Sequence, residues 1–156
     1  MCSSDLALMQ LGKWDQAETN FAQAIRWKPN YAEAHYNWAL LLEKKGDWAG
    51  AVDHWRSARA INQKLPEIDA RLGRALLRAG KITEAIPSFE RATSVRSDDW
   101  QSWFDLGVSL LSTQQPQRAA EVFARLIAVQ PNLPEAHNSM GIALAQTGKL
   151  REARDC

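Results

Sequence analysis

Alanine recurs along this chain on a fixed beat: Ala17, Ala51, Ala85, Ala119 and Ala153 stand 34 residues apart, each from the next. Glycine keeps the same interval at Gly12, Gly46, Gly80 and Gly148, with Gln114 in the one remaining place. Aromatics keep it at Phe21, Trp55, Phe89 and Phe123, and leucine at Leu8, Leu42, Leu76, Leu110 and Leu144. No insertion or deletion breaks the phase. Two segments three periods apart, Pro29 to His35 and Pro131 to His137, nearly repeat residue for residue. A period of this length and regularity requires one supersecondary unit, stacked on copies of itself.

Each unit reads as two helices. In the stretch from Trp100 to Gln130, Trp103, Leu106, Leu110 and Leu111 fall at spacings of three and four, one face of a first helix. Thr113-Gln114-Gln115 breaks the pattern. Pro116 suits the first turn of a second helix, where its missing N–H would be unpaired anyway. Ala119, Val122, Phe123, Leu126 and Ile127 form that helix's apolar face. Elsewhere the break is Lys45-Gly46-Asp47, Ala79-Gly80-Lys81 or Thr147-Gly148-Lys149. Glycine there enters the left-handed conformation that ends a helix at low cost, and Asp47 can cap the next helix. Gly73, Gly107 and Gly141, with Ala39 in the same phase, sit midway along the first helices. A helical glycine costs roughly 1 kcal/mol relative to alanine. Repeating that cost implies a close helix crossing, filled from beside by a large aromatic.

The run Trp103-x-x-Leu106-Gly107, then Ala119-x-x-x-Phe123, then Pro131 resembles the tetratricopeptide repeat motif, over essentially residues 7–156. Leu110 stands where the motif prefers tyrosine. The resemblance implies an all-α fold, a right-handed α-solenoid of antiparallel helix hairpins whose first helices line a concave groove. A pentatricopeptide array, which reads RNA, would repeat one residue later and carry a basic excess; neither is present.

The phase sets the expected organisation: a non-native leader at 1–6, a partial unit at 7–30, complete units at 31–65, 66–99 and 100–133, and a truncated unit at 134–156. Met1-Cys2-Ser3-Ser4-Asp5-Leu6 matches the translation of a common sequencing-adapter string read from a GTG start, which points to a bacterial source. The next aromatic slot would fall one residue past Cys156. The expectation is a fragment of a longer array that self-associates through its uncapped ends, because each unit buries a face against the next.

Charge narrows the partners. Lys plus Arg number 19 and Asp plus Glu 18, a formal charge of +1, which gives no reason to expect nucleic acid. Hydrophobic content of 46% argues against disorder. No apolar run approaches bilayer length, and no signal peptide is visible. Cys2 and Cys156 form no disulfide framework, so the expected compartment is reducing and cytoplasmic.

The residues of chemical interest mostly have repeat slots. Of seven tryptophans, Trp55 fills the aromatic slot, Trp38 a leucine slot, and Trp103 is the motif tryptophan. Trp14 and Trp48 share a slot after the turn, and Trp27 matches Ile61 and Val95, so these are expected to pack. Trp100 is the least explained. His35 and His137 share a slot too far apart for a common metal. No catalytic, cofactor-binding or metal-ligating motif is present, and no cofactor is expected.

Carried over by slot, the family's groove includes Tyr36, Asn37, Leu40, Glu43 and Lys44. The following unit gives Ala70, Arg71, Arg74, Leu77 and Arg78. The next two give Phe104, Asp105, Val108 and Leu111, then Asn138, Ser139 and Ile142. Arg71, Arg74 and Arg78 form one helical stripe able to grip carboxylates. The competing expectation is a solvated face, with Glu67 pairing to Arg71 and Asp105 neutralising from next door. A carboxylate clamp for chaperone C-termini would need a lysine and two asparagines in set slots, two of which Tyr36 and Leu40 occupy instead. An asparagine ladder would need asparagine where Arg71, Asp105 and Ser139 stand. The resulting expectation is a non-enzymatic scaffold that holds an extended, acidic peptide or a partner helix in the groove. The alternative is the recognition arm of a longer sugar- or sulfate-transferring enzyme.

Overall fold

The computed structural model describes residues 13–65 and 67–148. Residues 1–6, expected to be a non-native leader, lie with both cysteines, Leu8, Gly12 and Ala153 outside the described residues. Among these there are eight helices and no strand: α1 (Trp14–Trp27), α2 (Ala32–Lys45), α3 (Trp48–Ile61), α4 (Ile68–Arg78), α5 (Ile82–Val95), α6 (Trp100–Ser112), α7 (Pro116–Val129) and α8 (Pro134–Gln146). The chain forms two compact units, Met1–Ala79 and Gly80–Cys156. The first holds α1 to α4 and the second α5 to α8. No helix among the described residues is long and apolar enough to cross a membrane.

The breaks follow the sequence pattern. Gly46, Gly80 and Gly148 take φ of 79°, 75° and 80°, which only a residue without a Cβ adopts freely. Past Gly46 the Asp47 N–H returns to the Leu42 carbonyl at 2.9 Å, and the Asp47 side chain accepts the Gly50 N–H at 3.0 Å, capping α3. Gln114 is more instructive. Without glycine's freedom it still takes φ of 57°, and the Gln115 N–H returns to the Leu110 carbonyl at 2.9 Å as its counterpart does. The turn is dictated by the hairpin, and the residue conforms. Pro116 opens α7. Asp99 caps α6 by accepting from the Ser102 backbone N–H and, at 2.7 Å, from its hydroxyl.

The alanine beat marks where helices touch. Ala17, Ala51, Ala85 and Ala119 are all fully buried, 0% exposed, so the slot admits nothing larger. The aromatics Phe21, Trp55, Phe89 and Phe123 are buried beside them. In the second unit the crossing of α6 and α7 is closed by Gly107: a Cβ placed there would lie 2.5 Å from Phe123 Cζ, well inside van der Waals contact.

Two expectations need correction. Trp27 does share a slot with Val95, but it does not pack: Trp27 is 87% exposed and Val95 80%. The slot is the last residue of the second helix, and its burial varies between copies, with Ile61 half-buried. Ala70 lies 2% exposed in the packing of α4, not on a ligand-accessible face.

Gly107→Leu is expected to lower the stability of the second unit by about 1–3 kcal/mol, because overpacking forces backbone or rotamer shifts. Val108→Leu, one residue along on an exposed position, should be nearly neutral. Chemical denaturation followed by far-ultraviolet circular dichroism compares the two; equal midpoints would remove the steric role of Gly107.

Candidate functional site

In the first unit, α2 and α4 carry the residues of the expected groove, and the structure divides them into engaged and available groups. The starting point is Trp55. It is the one tryptophan in a slot otherwise filled by phenylalanine, and its buried indole N–H needs an acceptor. Glu43 supplies it, with Trp55 Nε1 donating to Glu43 Oε1 at 2.7 Å. Glu43 Oε2 then faces Arg71 Nη1 at 3.5 Å. Arg71 also reaches Glu67 at 3.9 Å, and its guanidinium lies 5.9 Å from the Trp55 ring centre. By slot, Glu43 stands where Leu77 and Leu111 stand, so tryptophan, glutamate and arginine form one polar set replacing an apolar one. Tyr36 packs edge-on against Trp55, with ring centres 4.8 Å apart.

Arg71 is therefore neutralised within its own unit, with Glu67 contributing as the solvated-face expectation held. The other two members of the stripe differ. Arg74 is half-buried and Arg78 exposed, and neither makes an ion pair among the described residues. Arg78 lies 5.9 Å over Trp48, a cation–π contact that leaves its charge unmatched. Lys44 is exposed on α2, and Asn37, Leu40 and Leu77 are half-buried.

In the second unit the corresponding face, on α6 and α8, is mostly apolar. Val108 and Ile142 are 38% and 45% exposed. Phe104 leans edge-on against Phe123 at 6.1 Å. Asp105 accepts from Gln101 at 3.4 Å. Leu111 and Ser139 are half-buried and Asn138 exposed. A separate cleft of about 490 Å³ opens between α5 and α7. Trp103, Leu106 and Leu110 line it, with Arg118 paired to Glu90 and Arg125 5.8 Å over Trp103.

The structure also joins two residues that sequence reasoning left apart. His35 of α2 and His54 of α3 meet through their Nδ1 atoms at 3.0 Å. The Trp38 ring stacks on His54, with centres 4.2 Å apart. Burial, then the neighbouring His35, lowers the His54 pKa to about 4. Burial also lowers that of His35, opposed by a bond to the Pro29 backbone. No group of three or more His, Cys, Asp or Glu among the described residues could hold a metal.

The tetratricopeptide repeat model matches residues 70–134 and 107–155, and a second repeat model matches residues 6–46. The chain belongs to the tetratricopeptide repeat family. Its fold is the all-α solenoid of that family, as solved structures show. YrrB superposes with a TM-score of 0.87 at 19% identity, over 97% of this chain and 78% of that one. MamA superposes at 0.86 and 20%, over 97% and 82%. Among curated relatives, the peroxisomal targeting signal receptor of Eremothecium gossypii is 25% identical over 149 residues, 96% of this chain and 24% of the receptor. The BBSome complex member BBS4 of Bos taurus is 22% identical over 149 residues, 96% of this chain and 29% of that protein. The cytochrome c-type biogenesis protein CycH of Bradyrhizobium diazoefficiens is 32% identical over 96 residues, 60% of this chain and 26% of that one. The tetratricopeptide chain thus spans about a quarter of the length of these three relatives.

The polar set is testable by double-mutant cycle. Glu43→Leu alone strands the Trp55 N–H and frees Arg71, at a cost of about 1–3 kcal/mol. Adding Trp55→Phe should cost less than its single effect, because the stranded donor is gone, with a coupling of about 1 kcal/mol. Additive losses in urea denaturation would show that the bond does not stabilise the unit.

Proposed function

We propose that this tetratricopeptide array is a protein-interaction scaffold, and that the first-helix face of its N-terminal unit binds an extended acidic segment of a partner. The observation that carries this is the unequal fate of the three arginines. Arg71 is matched by Glu43 and Glu67, whereas Arg74 and Arg78 present cationic groups on one turn of α4 with no carboxylate of the described residues against them. Lys44 adds a third charge from α2. Tyr36 and Leu40, half-buried on α2, would offer apolar contact to the side chains between the partner's acids. Helix-borne side chains need little reordering on binding, which lowers the entropic cost. The second unit, with Phe104, Val108 and Ile142, suits apolar side chains on its own first-helix face, with Asp105 and Asn138 as hydrogen-bonding groups.

The relatives support the coarser part of this reading. One is a receptor for a targeting signal and another a member of a protein complex. YrrB is described as a tetratricopeptide protein with an unusual peptide-binding site. No observation favours a catalytic role for the described residues.

Selection from a random peptide library on the 156-residue chain should enrich acidic sequences. Arg74→Glu should abolish that enrichment and leave helicity unchanged. Binding of a selected peptide should weaken with added salt, since exposed charges are screened over about 8 Å in physiological buffer. An unchanged library profile for Arg74→Glu would remove the arginines from the account.

A further inference from the structure

We propose that the His35–His54 pair is an acid-sensitive latch: it clamps α2 to α3 at neutral pH and lets α2, with its ligand-binding residues, loosen in mild acid. The ligand-release part rests on the function proposed above; the latch itself does not.

The geometry sets the proton count. The two Nδ1 atoms are 3.0 Å apart and the ring centres 5.2 Å, so the imidazoles meet nearly head-on through their nitrogens. Such a contact needs one N–H donor and one bare nitrogen. The Pro29 backbone decides which is which. Proline has no N–H, so its bond to His35 is through the carbonyl, and His35 is the donor. His137, in the same repeat slot, shows the arrangement in full: its Nε2 lies 2.9 Å from the Pro131 carbonyl oxygen. With its proton on Nε2, His35 offers a bare Nδ1, and His54 donates its Nδ1–H to it. A first added proton can settle on His54 Nε2 and leave the bond intact. A second can go only to His35 Nδ1, the atom that accepts the bond. The bond then breaks, and two imidazolium rings face each other at the same spacing.

The surroundings do not rescue the charged form. From α1, Glu18 lies near, but Lys45 of α2 holds it at 3.0 Å and Asp15 at 3.7 Å. From α3, Asp47 is committed to capping the helix and Asp53 lies beside His54. Glu18, Asp47 and Asp53 favour the protonated ring, yet burial and the facing His35 outweigh them. The aromatic Trp38 covers the His54 face. The neutral pair is thus the folded form. The unfolded histidines titrate near 6.5, so its stabilisation is complete above that pH and fades as pH falls toward about 4. The pair titrates as a unit.

The latch sits where it can reach the binding face. His35 adjoins Tyr36, which packs on Trp55, and Trp55 in turn holds Glu43. Releasing His35 from His54 removes one side of the α2–α3 contact and leaves Tyr36 and Trp55 to hold the other. The repeat supplies the control. The His54 slot holds Asn20 in α1, Ser88 in α5 and Val122 in α7, so His54→Val and His54→Asn keep side chains that the slot accepts and remove the His54 titration, leaving only that of His35.

Hydrogen exchange of α2 amides, corrected for intrinsic rate, should be measured at pH 7.5 and 5 on wild type and both variants. Wild-type opening of α2 should rise roughly ten-fold on acidification, less than the full linkage ratio because the pair is partly solvent-screened. Both variants should show a clearly smaller rise, that of His35 alone, and α7 of the second unit should serve as the unaffected reference. An equal acid response in wild type and either variant overturns the latch. A selected peptide should also lose affinity several-fold more in wild type than in His54→Val at pH 5. If α2 opens in wild type alone but peptide affinity falls equally in both, the latch stands and its control of the ligand is overturned. If Arg74→Glu leaves peptide binding intact, the binding-face proposal falls, and the exchange experiment still decides the latch.

Discussion

The contact on which the rest depends is the crossing of two helices within one repeat, where a residue with no side chain meets a large ring. At Gly107 and Phe123 there is no room even for a methyl group. A helical glycine sacrifices backbone entropy, roughly 1 kcal/mol against alanine, and that cost is repaid by an aromatic buried completely. The fully buried alanines apply the same restriction on the second helices. Once helices approach this closely, their angle and offset are set by shape, and the face each presents follows. The arginines of α4 share a side because the opposite side, with Leu72, Gly73 and Leu76, is buried.

This close packing explains which substitutions the array accommodates. Trp55 is larger than phenylalanine and carries a polar atom, so its presence in the aromatic slot has consequences on both neighbouring helices. Its N–H recruits Glu43, Glu43 recruits Arg71, and a charge that would have faced solvent is drawn into the fold. A single change of ring therefore alters the electrostatics of the first-helix face from a position on a second helix. His35 and His54 are a second case, in which slots that hold Trp103 and Val122 in the second unit hold two polar rings that must satisfy each other.

The period made most of the fold legible. Alanine, glycine and aromatic slots located the helices, the breaks and the tight crossing, because each repeats and each reports a steric demand on the backbone. What remained hidden was specific to one copy. Arg71 meets Glu43 across 28 positions and His35 meets His54 across 19; one period along, Leu77 and Asp105 replace the first pair and Asp69 and Ser88 the second, so no phase could reveal them. The first could have been suspected from the odd occupant of a slot, a glutamate where Leu77 and Leu111 stand; the second could not, because the His54 slot otherwise holds Asn20, Ser88 and Val122. Trp27 failed for a different reason. Membership of a slot tells which positions are equivalent, and says nothing of whether that position faces inward at a helix end.

Gln114 carries one more consequence. Its backbone turns left-handed like that of its glycine counterparts, with the same closing hydrogen bond as the turn at Gly46, so the strain of a side chain in that conformation is borne locally and not relieved by a different turn. The chain is in this sense its own alignment. Four copies agree on glycine and one dissents, and the structure shows that the dissenter has kept the shape of the majority. Such a molecule contains, without any second sequence, a record of where it departs from its own average, and each departure marks either tension tolerated or a feature peculiar to that copy.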